Sequence, residues 1–488
     1  MARIAVVGAG MGALAAAARL ATAGHRVTVY ERTGTHGGAL RRYRRDGFAF
    51  DTGPGLLHLP AVWRDLFLKT GRQPLEECVP LHRVDPAAEH RFADGTVVRL
   101  PGLSRGGVRQ ALDAALGPGT GDRWAALLDR ARESWERTRR PLLEEPLTPD
   151  PGRRAAAAAG HWPPARRSLR PAAWRRRRPP SLAAVARDEL RDPRLAALLG
   201  SVVSAYGVDP GTAPAHAAVL AYVEETFGSW YPEGGMRALA DAVHRRCLDR
   251  GVRFVFGAEA TGVLERDGRA SGVQLADGRR EPADHVVWGA PGLGAPARGT
   301  GRCTLLLALR GPRPADTAHR TVLHSGNPDP DPDGGPRAPR TVTVLRPDDP
   351  ALRPDDGHEA VVLSAPVPAP GPGPGPGPGP EDWAAFGERM LDAAEAAGLR
   401  LRARIRWREL RTPADVARET GMPGGLVPPP ALAGGGGAWL AAPNTGRLPG
   451  AYRVGGLAHP GGGLAHAGMS GAMAAGLITE GPHWRGSS

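Results

Sequence analysis

Three small residues and one acid open this chain with a spacing that does chemistry by holding something else that reacts. Gly8, Gly10 and Ala13 stand as Gly-x-Gly-x-x-Ala, Gly12 sits among them, and Glu31 closes the next apolar run. A pyrophosphate needs a backbone it can approach, amides aimed at it and few side chains in the way. Gly8 permits the tight turn, Gly10 lets the pyrophosphate reach the backbone, and Ala13 lets a helix pack close to a sheet. Glu31 is placed to accept hydrogen bonds from ribose hydroxyls. This set points to dinucleotide binding.

The elements that must position these residues are local. Arg3 to Val7 is a short apolar run that reads as a buried parallel strand. A helix from about Met11 to Ala23 turns its amide end and its positive dipole toward the phosphate. Gly24 ends it, and Val27 to Tyr30 forms a second strand with Glu31 and Arg32 at its C-terminal end. The bland alternative is a turn in a chain rich in Gly and Ala. The order strand, turn, helix, strand, acid argues against it.

Composition narrows the class. The 488 residues suffice for two or three domains with a large core. The net charge is +13, yet Lys69 is the only lysine among 63 basic residues, beside 68 Gly and 50 Pro. Such a skew reads as compositional bias, and no nucleic-acid motif accompanies it. Cys78, Cys247 and Cys303 have no paired spacing, which fits a reducing cytoplasm and neither a disulfide framework nor a zinc site. No continuous apolar run reads as a transmembrane helix, and the N-terminus lacks the basic region and cleavage site of a signal peptide. His82 and His90 lack partners at metal-ligand spacing, so no metal site is expected. No Gly-x-Ser-x-Gly elbow with an acid and a histidine is visible.

Further along stand Gly37-Gly38, Arg41-Arg42, Gly47-Phe48 and Asp51-Thr52-Gly53-Pro54. Gly234-Gly235-Met236 opens a helical pattern, followed by strand-like Val252 to Phe256 and by hairpin strands returning through Gly272 to Leu275 and Asp284 to Trp288. Gly455-Gly456, His459-Pro460 and Gly461 to Gly463 lie near the end. These stretches resemble the phytoene desaturase and carotenoid oxidoreductase family, within the FAD-dependent amine oxidase superfamily. The resemblance is tight over 3–60, 228–292 and 451–480 and loose elsewhere.

It implies FAD as the cofactor, with Gly37 and Gly38 along the diphosphate and Asp51, Gly53 and Pro54 beside the flavin. Ala39 stands where the family has an arginine, which leaves Arg41 or Arg42 to supply that charge or to serve the surface. Ala260 would sit in the strand whose backbone holds the adenine. Gly455, Gly456, Gly461, Gly462 and Gly463 would approach the ribitol and flavin, with a final helix from about Ser470. His459 matches the family motif, either as a proton acceptor or flavin-orienting residue or as a turn histidine bonded to a carbonyl. Asp51 reads as fixing its own loop. Ala465 and His466 depart from the Pro-Gly of many relatives.

The fold class implied is α/β: a Rossmann-like FAD-binding domain of the glutathione-reductase type, interleaved with an α+β substrate domain. The first would take residues 1–60, 228–292 and 441–488. The second would take 61–227 and 293–440, with a Pro/Gly-rich loop at 366–380. The implied reaction is dehydrogenation or isomerisation of a polyene, hydride going to the flavin and a proton to a base or water, with geometry more important than acid–base groups. An amine oxidase on a polar substrate is the second reading, weakened by the single lysine and the 5% aromatic content. A degenerate FAD-binding paralogue is the third. A module using NAD would need a second fingerprint, which is not visible. The partners expected are a hydrophobic small-molecule substrate and no nucleic acid. The expected place is the cytoplasm, with peripheral membrane contact through Trp174 and Arg175 to Arg178 set against a plain solvated loop.

Overall fold

A parallel sheet gathers strands from three remote parts of the chain in the computed structural model, which describes residues 1–147, 151–159, 162–163, 180–291, 299–326, 339–369 and 379–486. Its five strands run in the order Ala451–Arg453, His285–Trp288, Arg3–Val7, Arg26–Glu31, Arg253–Phe256, every neighbouring pair parallel. Both faces are covered at the sheet's centre, which is why Arg3–Val7 and His285–Trp288 read as apolar runs, while the edge strands stay partly exposed. On one face Ile4, Val6, Val27 and Val29 pack with the helices Met11–Thr22 and Met236–Asp249. On the other, Ala5, Val7 and Tyr30 meet Val273 and Leu275 of a three-stranded antiparallel sheet, Ala260–Arg266, Arg269–Leu275 and Arg280–Pro282.

Two local expectations change. His285–Trp288 does not return as a hairpin strand; it lies parallel between Arg3–Val7 and Ala451–Arg453, its valines buried on both faces. The final helix begins at Leu464, not near Ser470, and runs to Thr479. Its internal glycines are contact positions, not breaks. A Cβ on Gly471 would lie 2.5 Å from the Gly12 carbonyl oxygen, and one on Gly468 would lie 2.7 Å from Val62.

The second large sheet has seven strands, ordered Ile405–Arg411, Gly299–Arg310, His358–Ala369, Thr341–Leu345, Arg320–His324, Ala88–Phe92, Val97–Leu100. Alternation along it is strict. Cys303, Leu305, Leu307, Val342, Val344, Val361 and Leu363 face the helix Pro380–Ala396 through Phe386, Met390, Leu391 and Ala394. The alternate residues, Thr304, Val322, Thr343, Val362 and Ser364 among them, face a cavity. Helices Thr120–Arg139, Pro193–Ala205 and Val219–Phe227 close it from the other side. Trp174, Arg175 to Arg178 and residues 370–378 of the Pro/Gly-rich segment lie outside the described residues. Among the described residues no helix is long and apolar enough to cross a membrane, and no group of His, Cys, Asp and Glu is placed to hold a metal.

Candidate functional site

The glycine turn is built for an anion. Gly8 takes φ 85° and donates its N–H to the Tyr30 carbonyl at 2.8 Å. Gly10 precedes the helix Met11–Thr22, which has no side-chain cap, so its first-turn amides and dipole are left for an incoming phosphate. Gly37 donates its N–H to the Ala9 carbonyl at 2.8 Å, and a Cβ on Gly38 would lie 2.9 Å from the Gly10 Cα. The two glycine pairs therefore form one cradle. Gly12 serves helix packing instead. A Cβ there would meet the Gly455 nitrogen at 2.8 Å, so this glycine lets the helix touch the closing turn. Ala13 packs against the end of the central sheet, where a Cβ on Gly289 would lie 3.0 Å from its own.

Glu31 holds the rim. Oε2 accepts from the Ala9 N–H at 2.7 Å, and Oε1 accepts from the Thr33 N–H and hydroxyl, each at 2.8 Å. A carboxylate has further lone pairs for ribose hydroxyls. The Ala258 N–H donates to the Glu31 carbonyl at 2.9 Å, which brings the segment leading into Ala260 beside this acid; Ala260 itself pairs with Leu275, off the cavity wall. Arg32 points elsewhere, to the Arg418 and Glu419 carbonyls at 3.1 and 3.3 Å.

Geometry separates Arg41 from Arg42. Arg41 lines the main cavity, donating to the Gly38 carbonyl at 3.1 Å and the Thr33 hydroxyl at 3.0 Å. Burial lowers its pKa, so an anion beside it would relieve a desolvated cation. Arg42 instead pairs with Asp51 at 3.4 Å and bonds the Gly234 carbonyl. Asp51 does more than fix its own loop. It accepts from the Met236 and Arg237 N–H groups at 2.5 and 3.2 Å, capping a helix far along the chain. Burial raises its pKa against the pull of Arg42.

Gly53 is a contact glycine: a Cβ there would lie 2.1 Å from the Ala39 carbonyl oxygen. Gly53, Pro54, Gly455, Gly456, Gly462 and Gly463 line the cavity, while Gly461 does not. A Cβ on Gly461 would sit 2.6 Å from the Pro429 carbonyl and one on Gly462 1.6 Å from that of Pro428, so proline packing dictates both glycines. His459 is fully buried beside the backbone of Pro141 and Glu145 and is not on the cavity wall. His466 is on that wall. Burial pushes both imidazoles down to about 4, so both are neutral at pH 7.

The cavity, about 450 Å³, runs without interruption from the glycine cradle into a space walled by Leu142, Leu143, Val202, Val219, Leu220 and Val223. An uncapped helix end, glycines whose Cβ positions are filled by neighbours and one half-buried arginine fit a dinucleotide such as FAD. Sequence reading missed a polar group in the same cavity. Arg320 Nη2 lies 3.0 Å from Glu224 Oε2, His58 Nε2 lies 3.4 Å from Glu224 Oε1, and the Tyr206 hydroxyl borders the same carboxylate. Burial works against ionising Glu224, but Arg320 and His58 outweigh it and hold the carboxyl below its ordinary value. The one clue in the sequence was an acid on the apolar face of Val219–Phe227.

Comparison with known proteins places these features. The family model described as flavin containing amine oxidoreductase matches residues 14–296. A 4,4'-diapolycopene oxygenase of Methylomonas sp is 33% identical over 58% of this chain and 55% of its own length. A zeta-carotene-forming phytoene desaturase of Myxococcus xanthus is 34% identical over 58% of this chain and 52% of its own, so the match spans about half of either relative. A hydroxyneurosporene desaturase of Rubrivivax gelatinosus is 31% identical over 97% of this chain and 92% of its own. An oxidoreductase from Methanosarcina mazei superposes with a TM-score of 0.62 at 16% identity, covering 96% of this chain and 99% of that one. Putrescine oxidase bound to putrescine superposes with a TM-score of 0.62 at 15% identity, covering 98% and 99%. These two likenesses speak to the fold alone.

Proposed function

Because the chain belongs to the flavin containing amine oxidoreductase family, in the branch of the carotenoid desaturases, we propose that it is an FAD-dependent enzyme that dehydrogenates or isomerises a carotenoid-like polyene. The observation that carries this reading is the single cavity joining the glycine cradle to an apolar, helix-walled space. When bound, FAD supplies the hydride acceptor.

The chain's own residues do the remaining work. Gly10, Gly37 and Gly38 give the diphosphate its backbone bed, and Arg41 adds a cation. Glu31 anchors the ribose side, and the segment before Ala260 borders the adenine end. Gly53 and Pro54 shape the wall next to the flavin. Leu142, Leu143, Val219 and Val223 exclude water and hold the polyene in one orientation, which matters more for transfer from an allylic carbon than acid–base help. His466, neutral at pH 7, holds a proton at an imidazole nitrogen on that wall. His459 acts at one remove, by setting the turn that carries Gly455 to Gly463. In this reading residues 1–60, 228–292 and 441–488 hold the cofactor, and 61–227 with 293–440 enclose the substrate. Peripheral contact with a membrane belongs to the same reading. Leu103 and Phe227 are 40% and 36% exposed, and Phe227 lies against the cavity-lining Trp135.

The test is the absorbance spectrum of the purified protein, then anaerobic mixing with phytoene in liposomes. A flavin band that bleaches on mixing is the expected result. Bleaching by amines and not by the polyene would move the activity to amine oxidation. No flavin band after adding FAD would sink the reading.

A further inference from the structure

The arginines near the cofactor cradle do not all face it. A second cavity, about 380 Å³, shares Arg41 with the first and carries four further arginines on its wall, Arg42, Arg44, Arg237 and Arg411. Asp241 and Glu419 are the carboxylates on the same wall. Arg41, Thr52 and Glu419 border both cavities, so the two spaces have a common partition. The polyene reading makes no use of this second space.

Five guanidinium groups against two carboxylates leave the wall short of negative charge. Arg237 is satisfied within the protein. Its Nε donates to Asp241 Oδ1 at 2.8 Å, Nη1 to the His36 carbonyl at 2.8 Å and Nη2 to the Thr35 hydroxyl at 3.1 Å. Three of the others are not. Arg411, its side chain 9% exposed, pairs with Glu419 through Nη2 and leaves Nε buried without a partner. Arg42 pairs with Asp51, which lies off this cavity, and likewise leaves Nε without one. The Arg44 side chain is exposed and makes no ion pair or hydrogen bond among the described residues. Cations gathered around a confined space draw in anions. Each guanidinium presents a planar fork, and several forks around one space fit an anion with oxygens on several sides. A phosphoryl group has such oxygens; a carboxylate has two, in one plane. The Tyr43 and Thr52 hydroxyls add neutral donors on the wall.

We propose that this second cavity binds a phosphoryl anion other than the cofactor's own diphosphate, and that its occupant and FAD weaken each other's binding through Arg41. Two anions then draw on one cation, and coupling of this kind is reciprocal. The assignment draws on the FAD site and not on the polyene substrate. A dissolved phosphate compound and an anionic lipid headgroup present the same group, and the test separates them.

The probe is inorganic pyrophosphate, titrated calorimetrically into the FAD-loaded protein at fixed ionic strength. Citrate, a polycarboxylate of similar charge, is the reference. Wild type is expected to bind one equivalent of pyrophosphate about tenfold more tightly than citrate. Arg44→Glu is expected to weaken that binding about tenfold with the flavin spectrum unchanged. Arg266→Glu makes the same charge change on a side chain 83% exposed outside both cavities. It is expected to alter binding by no more than about twofold. Saturating pyrophosphate is expected to raise the FAD dissociation constant severalfold, to a plateau. Co-sedimentation with phosphatidic acid vesicles that Arg44→Glu abolishes, in the absence of pyrophosphate binding, assigns the phosphoryl group to a lipid headgroup. Binding from neither source, citrate as tight as pyrophosphate, or equal losses in the two variants overturns the proposal. So does an FAD dissociation constant that pyrophosphate never moves. One that climbs without a plateau overturns it as well, since that is plain competition for the cradle.

Discussion

Gly53 shows how little room single residues have here. With the Ala39 carbonyl 2.1 Å from its Cβ position, Gly53→Ala must shift one loop against the other. We expect a loss of about 1–3 kcal/mol in stability and a fall in bound flavin, read from the ratio of flavin to protein absorbance. The two arginines make a sharper pair. Arg41→Ala is expected to weaken FAD binding tenfold or more with little change in melting, since Arg41 faces the cavity. Arg42→Ala uncovers buried Asp51 and is expected to cost about 3 kcal/mol, with flavin affinity the smaller effect; titration with FAD and urea melts separate the two. His459 sets a pH dependence. Its folded pKa of about 4 lies below the ordinary 6.5, so the unfolded chain binds more protons between those values. Its contribution is therefore complete above pH 6.5 and is lost as pH falls toward 4, on the order of 3 kcal/mol. Urea melts from pH 7 to 4.5 should show that slope together with the one from His466 and the other buried histidines, and His459→Phe should remove only its own share.

Among elements, the decisive contact is between the first helix and the last. Gly12, Ala15 and Ala16 of Met11–Thr22 meet Gly471 of Leu464–Thr479 with no space for a side chain. Gly471→Val should cost about 1–3 kcal/mol and release FAD, because it pushes the closing turn off the cradle; flavin fluorescence on mild heating is the check. Legibility in the sequence follows the same geometry. The turn from Gly8 to Ala13 with its flanking strands was readable because strand, helix and acid are consecutive, and each residue type answers a local demand. The final helix was misplaced because Gly468 and Gly471 look like breaks when their neighbours are unseen. Asp51 as a cap for Met236 and Arg320 as a partner for Glu224 were beyond reach. The partners stand 185 and 96 residues apart, and only the finished sheets bring them together.

At the scale of the whole molecule, a water-insoluble substrate needs an apolar path from a bilayer to the buried cavity. Leu103 and Phe227 are exposed, Phe227 against the cavity-lining Trp135, so Leu103→Ser with Phe227→Ser is expected to reduce co-sedimentation with anionic liposomes severalfold and raise KM, leaving the flavin spectrum unchanged. Unaltered co-sedimentation would send the search to the arginine run at 175–178. The central sheet carries a further consequence, for biosynthesis. Its outermost strand is Ala451–Arg453, and the helix that closes the cradle comes later still. At about 5–20 residues per second a ribosome needs roughly half a minute or more to deliver them. Throughout that interval the nascent dinucleotide turn lacks its lid and one flank of its sheet. The emerging polypeptide is therefore expected to need protection until Ala451–Arg453 and Leu464–Thr479 appear, and a shortage of FAD is expected to register as protein turnover before it registers as lost catalysis, which pulse-chase labelling with and without riboflavin would read.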